Sequence, residues 1–157
     1  MRTVLVFLAG AVFGAPAGAF LWYAFSPLLF DDVVDETLVT AEIIASGTFS
    51  DADAAHRGSG TAQLVSLPSG AFEIQLTNFQ VTNGPDLEVW LSAHPSPMSS
   101  SDVSDTEWLS LGQLKGNIGD QSYAVPTDAD ISSFQSVVIW CEHFGVLFSP
   151  APLSPAS

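Results

Sequence analysis

From about Glu42 onward the chain alternates apolar and polar residues with a period of two. In "AFEIQL", Phe72, Ile74 and Leu76 fall on one face, with Glu73 and Gln75 on the other. In "LEVWL", Leu87, Val89 and Leu91 alternate with Glu88 and Trp90. This period belongs to half-buried strands and excludes an amphipathic helix over the same residues. "EIIASGTFS" and "GTAQLVSL" add two more β-branched runs, and "LPSG" (67–70) and "NGPD" (83–86) supply turns. Residues 94–105 read as a polar, Pro/Ser-rich loop. Residues 107–126 read as a short strand, a Gly/Asn-rich turn and a second short strand, and 128–134 as one helical turn. A long apolar run then continues through Phe148 into a Pro/Ser-rich end. The prediction is an all-β domain over 42–153, an antiparallel β-sandwich or partly open barrel, with residues 154–157 as a tail. Cys141 is the only cysteine, so no internal disulfide forms and the core must hold the fold.

Ahead of this domain, Val4 to Phe30 runs 27 residues without a charge. At about 1.5 Å per helical residue, that exceeds the ~30 Å apolar layer of a bilayer. Arg2 precedes the run, and Asp31, Asp32, Asp35 and Glu36 follow it. Residues 1–30 are therefore expected to be a single membrane anchor. Its N-terminus would be cytoplasmic and the rest extracytoplasmic, periplasmic or at the cell surface, with Trp22 and Tyr23 at the outer interface. A cleaved signal peptide is the rival, because Ala17-Gly18-Ala19 offers a small-residue site. Cleavage there would leave "FLWYAFSPLLF" at the new end, which suits a soluble protein poorly. Residues 31–41 read as an acidic linker. Beyond residue 30, seventeen acids face two bases, Arg57 and Lys115, a net of −15. Such a surface repels phosphate backbones and anionic lipid headgroups, which excludes nucleic acid as a partner.

The run "SVVIWCEHF" (136–144) raises the main chemical question. Cys141 shares a strand face with Val137 and Ile139, as a small core residue would. A reactive thiolate needs a nearby cation or a helix N-terminus, whereas Glu142 adjoins Cys141 and the domain is acidic. Slow reaction with thiol reagents at neutral pH is expected. An intermolecular disulfide through Cys141 is a further possibility. His56, His94, His143, Cys141 and Met98 include the residue types of a copper site. On a continuous strand, Cys141 and His143 would share a face about 7 Å apart. No C-x-x-C-H occurs, which excludes covalent haem attachment of that type. His56 lies in a small polar segment that reads as a surface loop. Asn83-Gly84-Pro85-Asp86 reads as a turn in which Gly84 permits positive φ and Asp86 accepts local backbone bonds. Trp90, Trp108 and Trp140 read as core or rim. No hydrolase, zinc-protease or dinucleotide-binding motif is present, so no enzyme class is indicated.

Four fragments, taken in order, resemble one family: "HRGSGTA" (56–62), "LTNFQVTNGPDLEVWLS" (76–92), "LGQLKGNIGDQSYAVP" (111–126) and "SVVIWCEHFGVLFSPAPL" (136–153). They are similar to the DM-thirteen domain, an extracytoplasmic module that in animals can stand beside DOMON domains. The resemblance implies a β-rich fold and a redox or electron-transfer role with a protein redox partner. It implies Cys141 as a bare redox thiol, or as a ligand to haem or a transition metal. It also singles out His56 as a cofactor-binding candidate; together with the residue types noted above, the metal candidates are Cys141, His143 and His56. The departure is Glu142-His143, where basic or polar residues are expected, and it makes the surroundings of Cys141 more acidic. A non-catalytic binding or adhesion module with a structural cysteine is the alternative.

Overall fold

The structure, a computed structural model, describes residues 2–25 and 30–156. Helix α1 (Arg2–Phe25) is followed by nine strands: β1 (Glu42–Thr48), β2 (Gly58–Ser66), β3 (Phe72–Val81), β4 (Leu87–Ser92), β5 (Trp108–Gln113), β6 (Gln121–Ala124), β7 (Ser136–Cys141), β8 (Val146–Pro152) and β9 (Ser154–Pro155). One sheet has the order β6-β3-β2-β1-β9 and the other β5-β4-β7-β8. All the strand pairs are antiparallel. The sheets face each other across one core, as expected for a sandwich. Ala62, Leu64, Ile74 and Leu76 meet Leu87, Val89, Leu91, Val137, Ile139 and Cys141 there.

The alternation of Leu87, Val89 and Leu91 with Glu88 and Trp90 holds in the fold. The first three join the core, while Trp90 enters a second cluster on the outer face with Val103, Val138, Trp140 and Leu147. Val103 comes from a short helix, α2 (Ser100–Ser104), inside the segment read as a loop. A capping box forms it: the Ser99 side chain accepts from the Asp102 N–H, and the Asp102 carboxylate accepts from the Ser99 N–H. The helical turn read in 128–134 is a 3-10 turn at Ile131–Ser133, capped by Asp130.

The acidic linker and the Pro/Ser-rich end both pair with the sandwich. The Pro/Ser-rich end supplies Ser149 to Pro152 of β8 and all of β9, which pairs with Ala45 and Ser46 of β1. Prolines fit because β8 is an edge strand in its sheet. The acidic segment after residue 30 is strapped to the domain. Val33 bridges Ile118, the Val34 N–H donates to the Ile118 carbonyl, and the Glu36 N–H donates to the Asp120 carbonyl. Asn117 donates to the Asp31 carboxylate and accepts from the Asp32 N–H. Glu36 pairs with Lys115 at 2.7 Å and accepts from the N–H and hydroxyl of Ser122. Further along, the Val39 carbonyl accepts from Gln75, which leaves that polar-face residue only 4% exposed. The glycines of "LKGNIGDQ" make room for this strap. A Cβ at Gly116 would meet the Asp32 carbonyl, and one at Gly119 would collide with the Val34 backbone.

Among the described residues, no helix is long and apolar enough to cross a membrane. The expected transmembrane helix is thus unsupported by the described part of α1, in which side chains are described for residues 10–22. The interfacial placement expected of Tyr23 lies outside the described side chains.

Candidate functional site

Cys141 ends β7 and faces the core, with none of its surface exposed. Its position follows from register: Cys141 pairs with Leu87 at the start of β4 and with Val146 at the start of β8. The β7–β8 connection is the tight turn Glu142–Gly145. It is closed by the Gly145 N–H donating to the Cys141 carbonyl, with Gly145 at φ +62°. Gly145 is therefore the turn's left-handed residue. The β7–β8 register shifts between Ile139 and Trp140. The turn also corrects the metal reading, because β7 stops at Cys141 and His143 does not continue it on the same face.

A second turn covers the sulfur. The Cys141 Sγ–H donates to the Pro85 carbonyl at 3.1 Å, and the Glu142 N–H donates to the Asp86 carbonyl. The positive φ of this turn falls on Asp86 (+55°), not on Gly84. The Asp86 side chain accepts from Gln113 of β5 at 3.1 Å rather than from its own backbone. Gly84 is needed for space: a Cβ there would lie 2.7 Å from two ring atoms of Phe148 and 3.2 Å from Leu87. Asn83 also donates to the Phe30 carbonyl, which joins the turn to the segment following α1.

Burial pushes the Cys141 thiol above its ordinary range. The backbone N–H groups of Phe144 and His143 offset part of that rise, while Asp86 and Glu142 add to it. The thiol proton thus has a fixed acceptor in the Pro85 carbonyl. On the far side of Pro85 and Leu87 lies a cavity of about 650 Å³, to which Phe20, Asp32, His143 and Phe144 also contribute. Cys141 does not line it.

The other candidates stand apart. His56 bonds Asp53 at 2.8 Å, which pulls that carboxylate down to about 2, and its ring packs on Phe148 with centroids 4.3 Å apart. His143 is exposed in the hairpin turn, edge-on to Phe144. His94 follows the opposite end of β4 from Leu87, and Met98 is 82% exposed. Among the described residues, no three His, Cys, Asp or Glu side chains gather to hold a metal ion. The donor set does not fit haem or copper, since the Cys141 thiol is turned to a backbone carbonyl and one His56 ring nitrogen is bonded to Asp53. An intermolecular disulfide would require the Asn83–Asp86 turn to open.

Sequence reasoning missed Pro85 as the partner of Cys141 and missed the strap. Two of the four fragments that carry the resemblance gave the available signal, because Asn83–Asp86 meets the β7–β8 turn and Gly116 and Gly119 meet the strap. Comparison with known proteins adds one positive finding: the family model described as Electron transfer DM13 matches residues 48–153. No curated protein and no solved structure matches the chain. The match spans most of the sandwich, both turns around Cys141 and Cys141 itself, and the chain belongs to the Electron transfer DM13 family.

Proposed function

We propose that this chain is a membrane-anchored extracytoplasmic redox module, with Cys141 as its redox-active group. Family membership supports the redox reading. The observation that carries Cys141 is the Pro85 carbonyl that accepts its thiol proton at 3.1 Å, at a sulfur fully shut from solvent. This bond fixes the orientation of the sulfur beneath the turn. Full burial under the Asn83–Asp86 turn keeps water and bulk oxidants away. Exchange then proceeds with a protein redox partner or by opening of the turn.

Anchoring rests on the charge-free run from Val4 to Phe30. Arg2 before the run and the acids after it favour an N-in orientation, with the domain outside. Protease digestion of right-side-out membranes tests this topology: the domain should be lost and the N-terminus protected, whereas a protected domain would contradict it.

Replacement of Cys141 by Ser tests the redox centre. The variant should fold and reach the membrane yet lose partner-dependent electron transfer. Full retention of that activity would favour the alternative, a binding or adhesion module with a structural cysteine, which the complete burial of Cys141 also suits.

A further inference from the structure

Three indoles stack across neighbouring strands of the second sheet. Trp108 of β5 lies nearly parallel to Trp90 of β4, with centroids 4.0 Å apart and planes at 13°. Trp90 in turn stacks on Trp140 of β7, at 5.0 Å and 27°. Register produces this arrangement, because Trp90 opposes Ser110 and Val138, and its two partners are the diagonal neighbours. One end of the stack is open: Trp108 is 45% exposed, while Trp90 and Trp140 are 3% and 4% exposed. The other end is the residue before Cys141. Packing explains two indoles in the outer cluster, but it does not require an exposed third lying flat upon them. Nor does it require a carboxylate on the central ring: Glu88 Oε2 accepts from Trp90 Nε1 at 2.7 Å and from the Ser110 hydroxyl at 2.6 Å.

We propose that Trp108, Trp90 and Trp140 form a one-electron relay from the surface to the neighbourhood of Cys141, with Glu88 as its proton acceptor. The proposal rests on the redox reading above and supplies its route. The entry point is the exposed face of Trp108, and the reactant is a high-potential one-electron oxidant. That oxidant gains one electron, and Trp108 becomes a radical cation. An electron then passes from Trp90 to Trp108. The oxidised Trp90 releases its Nε1 proton to Glu88, which leaves a neutral indolyl radical and a carboxylic acid. When an electron arrives from Trp140, the proton returns to Trp90 and the hole rests on Trp140. In sum, one electron leaves Trp140 and one is gained by the oxidant.

Photogenerated tris(bipyridine)ruthenium(III), applied to the full chain, tests the relay. Peptide mass spectrometry maps which indoles take up oxygen, and transient absorption follows the radicals. In the unsubstituted chain the buried Trp140 should be oxidised. Trp90→Phe and Trp108→Phe should each lower Trp140 oxidation by an order of magnitude. Trp140 oxidation within a factor of two of the original in either folded variant would overturn the relay. Glu88→Gln, which keeps the stack, should slow conversion of the radical cation to the neutral radical by an order of magnitude; equal rates would overturn the role of Glu88. Repeating the assay on the Cys141→Ser chain reads the stack alone, so a failed relay leaves the Cys141 reading standing, and the reverse also holds.

Discussion

Gly84→Ala should uncover Cys141. The added methyl would sit 2.7 Å from Phe148 Cε1 and Cζ and 3.2 Å from Leu87 Cδ2. Carbon atoms pack comfortably at about 3.5–4.0 Å, so the turn or the ring must retreat by about 1 Å. Gly84 is not at positive φ, which makes the effect steric rather than conformational. Overpacking of this kind costs about 1–3 kcal/mol. Phe148 is wedged in the core, 6% exposed, whereas the turn faces the cavity, so the turn should yield. If the whole cost falls on the closed turn, its opening equilibrium rises about 5- to 150-fold. A neutral thiol reagent reads this directly, because Cys141 is the only thiol. The labelling rate under native conditions should rise by that factor while the melting transition stays cooperative. Phe148→Leu, which removes the ring tip, should relieve the clash, and the pair should show a coupling energy of about 1 kcal/mol or more. An unchanged labelling rate in Gly84→Ala, or strict additivity with Phe148→Leu, would refute the wedge as the lock on the turn.

Further expectations concern the thiol, the strap and the core. In the original chain at neutral pH, Cys141 should label far more slowly than a free thiol, since burial holds its proton on; labelling as fast as a model thiol would contradict this. The hydrogen bond from Lys115 holds Glu36 below its ordinary value of 4.5, so its contribution is complete above that value and is lost as pH falls through the lower folded pKa. Hydrogen exchange at Val34 and Glu36 should accelerate on acidification below 4.5, and Glu36→Gln should remove most of that pH dependence. Gly119→Ala should free the strap at any pH, because its Cβ collides with the Val34 backbone and the position has φ +106°. Ile74→Ala, at a fully buried position, should destabilise the sandwich by about 2–5 kcal/mol in denaturant titration.

The sandwich was legible because period-two alternation is a local signal, and Leu87, Val89, Leu91, Ile74 and Leu76 all face the core as their spacing predicts. What was not legible depends on contacts between segments distant in sequence. Nothing local in "DDVVDE" announces that Gly116 and Gly119, more than eighty positions later, leave room for it. Ser154 and Pro155 look like a tail until β9 is seen to pair with β1. Gly84 looked like a source of positive φ, yet its missing side chain matters through Phe148, while Asp86 takes the left-handed backbone. The face of Cys141 followed from Val137 and Ile139, but its carbonyl partner at Pro85 is 56 residues away and invisible to periodicity. The three indoles were each recognisable as core or rim; only the strand order β5-β4-β7 stacks them. Val103 was within reach, because Ser99 and Asp102 carry a capping-box spacing inside a segment otherwise read by its prolines and serines.

The central claim is that Cys141 is the redox-active group, and its oxidation state under controlled potential tests that claim most directly. The full chain would be poised stepwise from reducing to oxidising potential with mixtures of a small thiol and its disulfide, so that Cys141 can form a mixed disulfide with release of one small thiol and return by the reverse exchange. Cys141 would then be quantified at each step by mass spectrometry after denaturing alkylation. The account predicts a reversible transition in which Cys141 loses alkylatable thiol on oxidation and regains it on reduction, and which is absent in Cys141→Ser. A thiol that remains fully alkylatable across the range, or is lost only irreversibly, would contradict it.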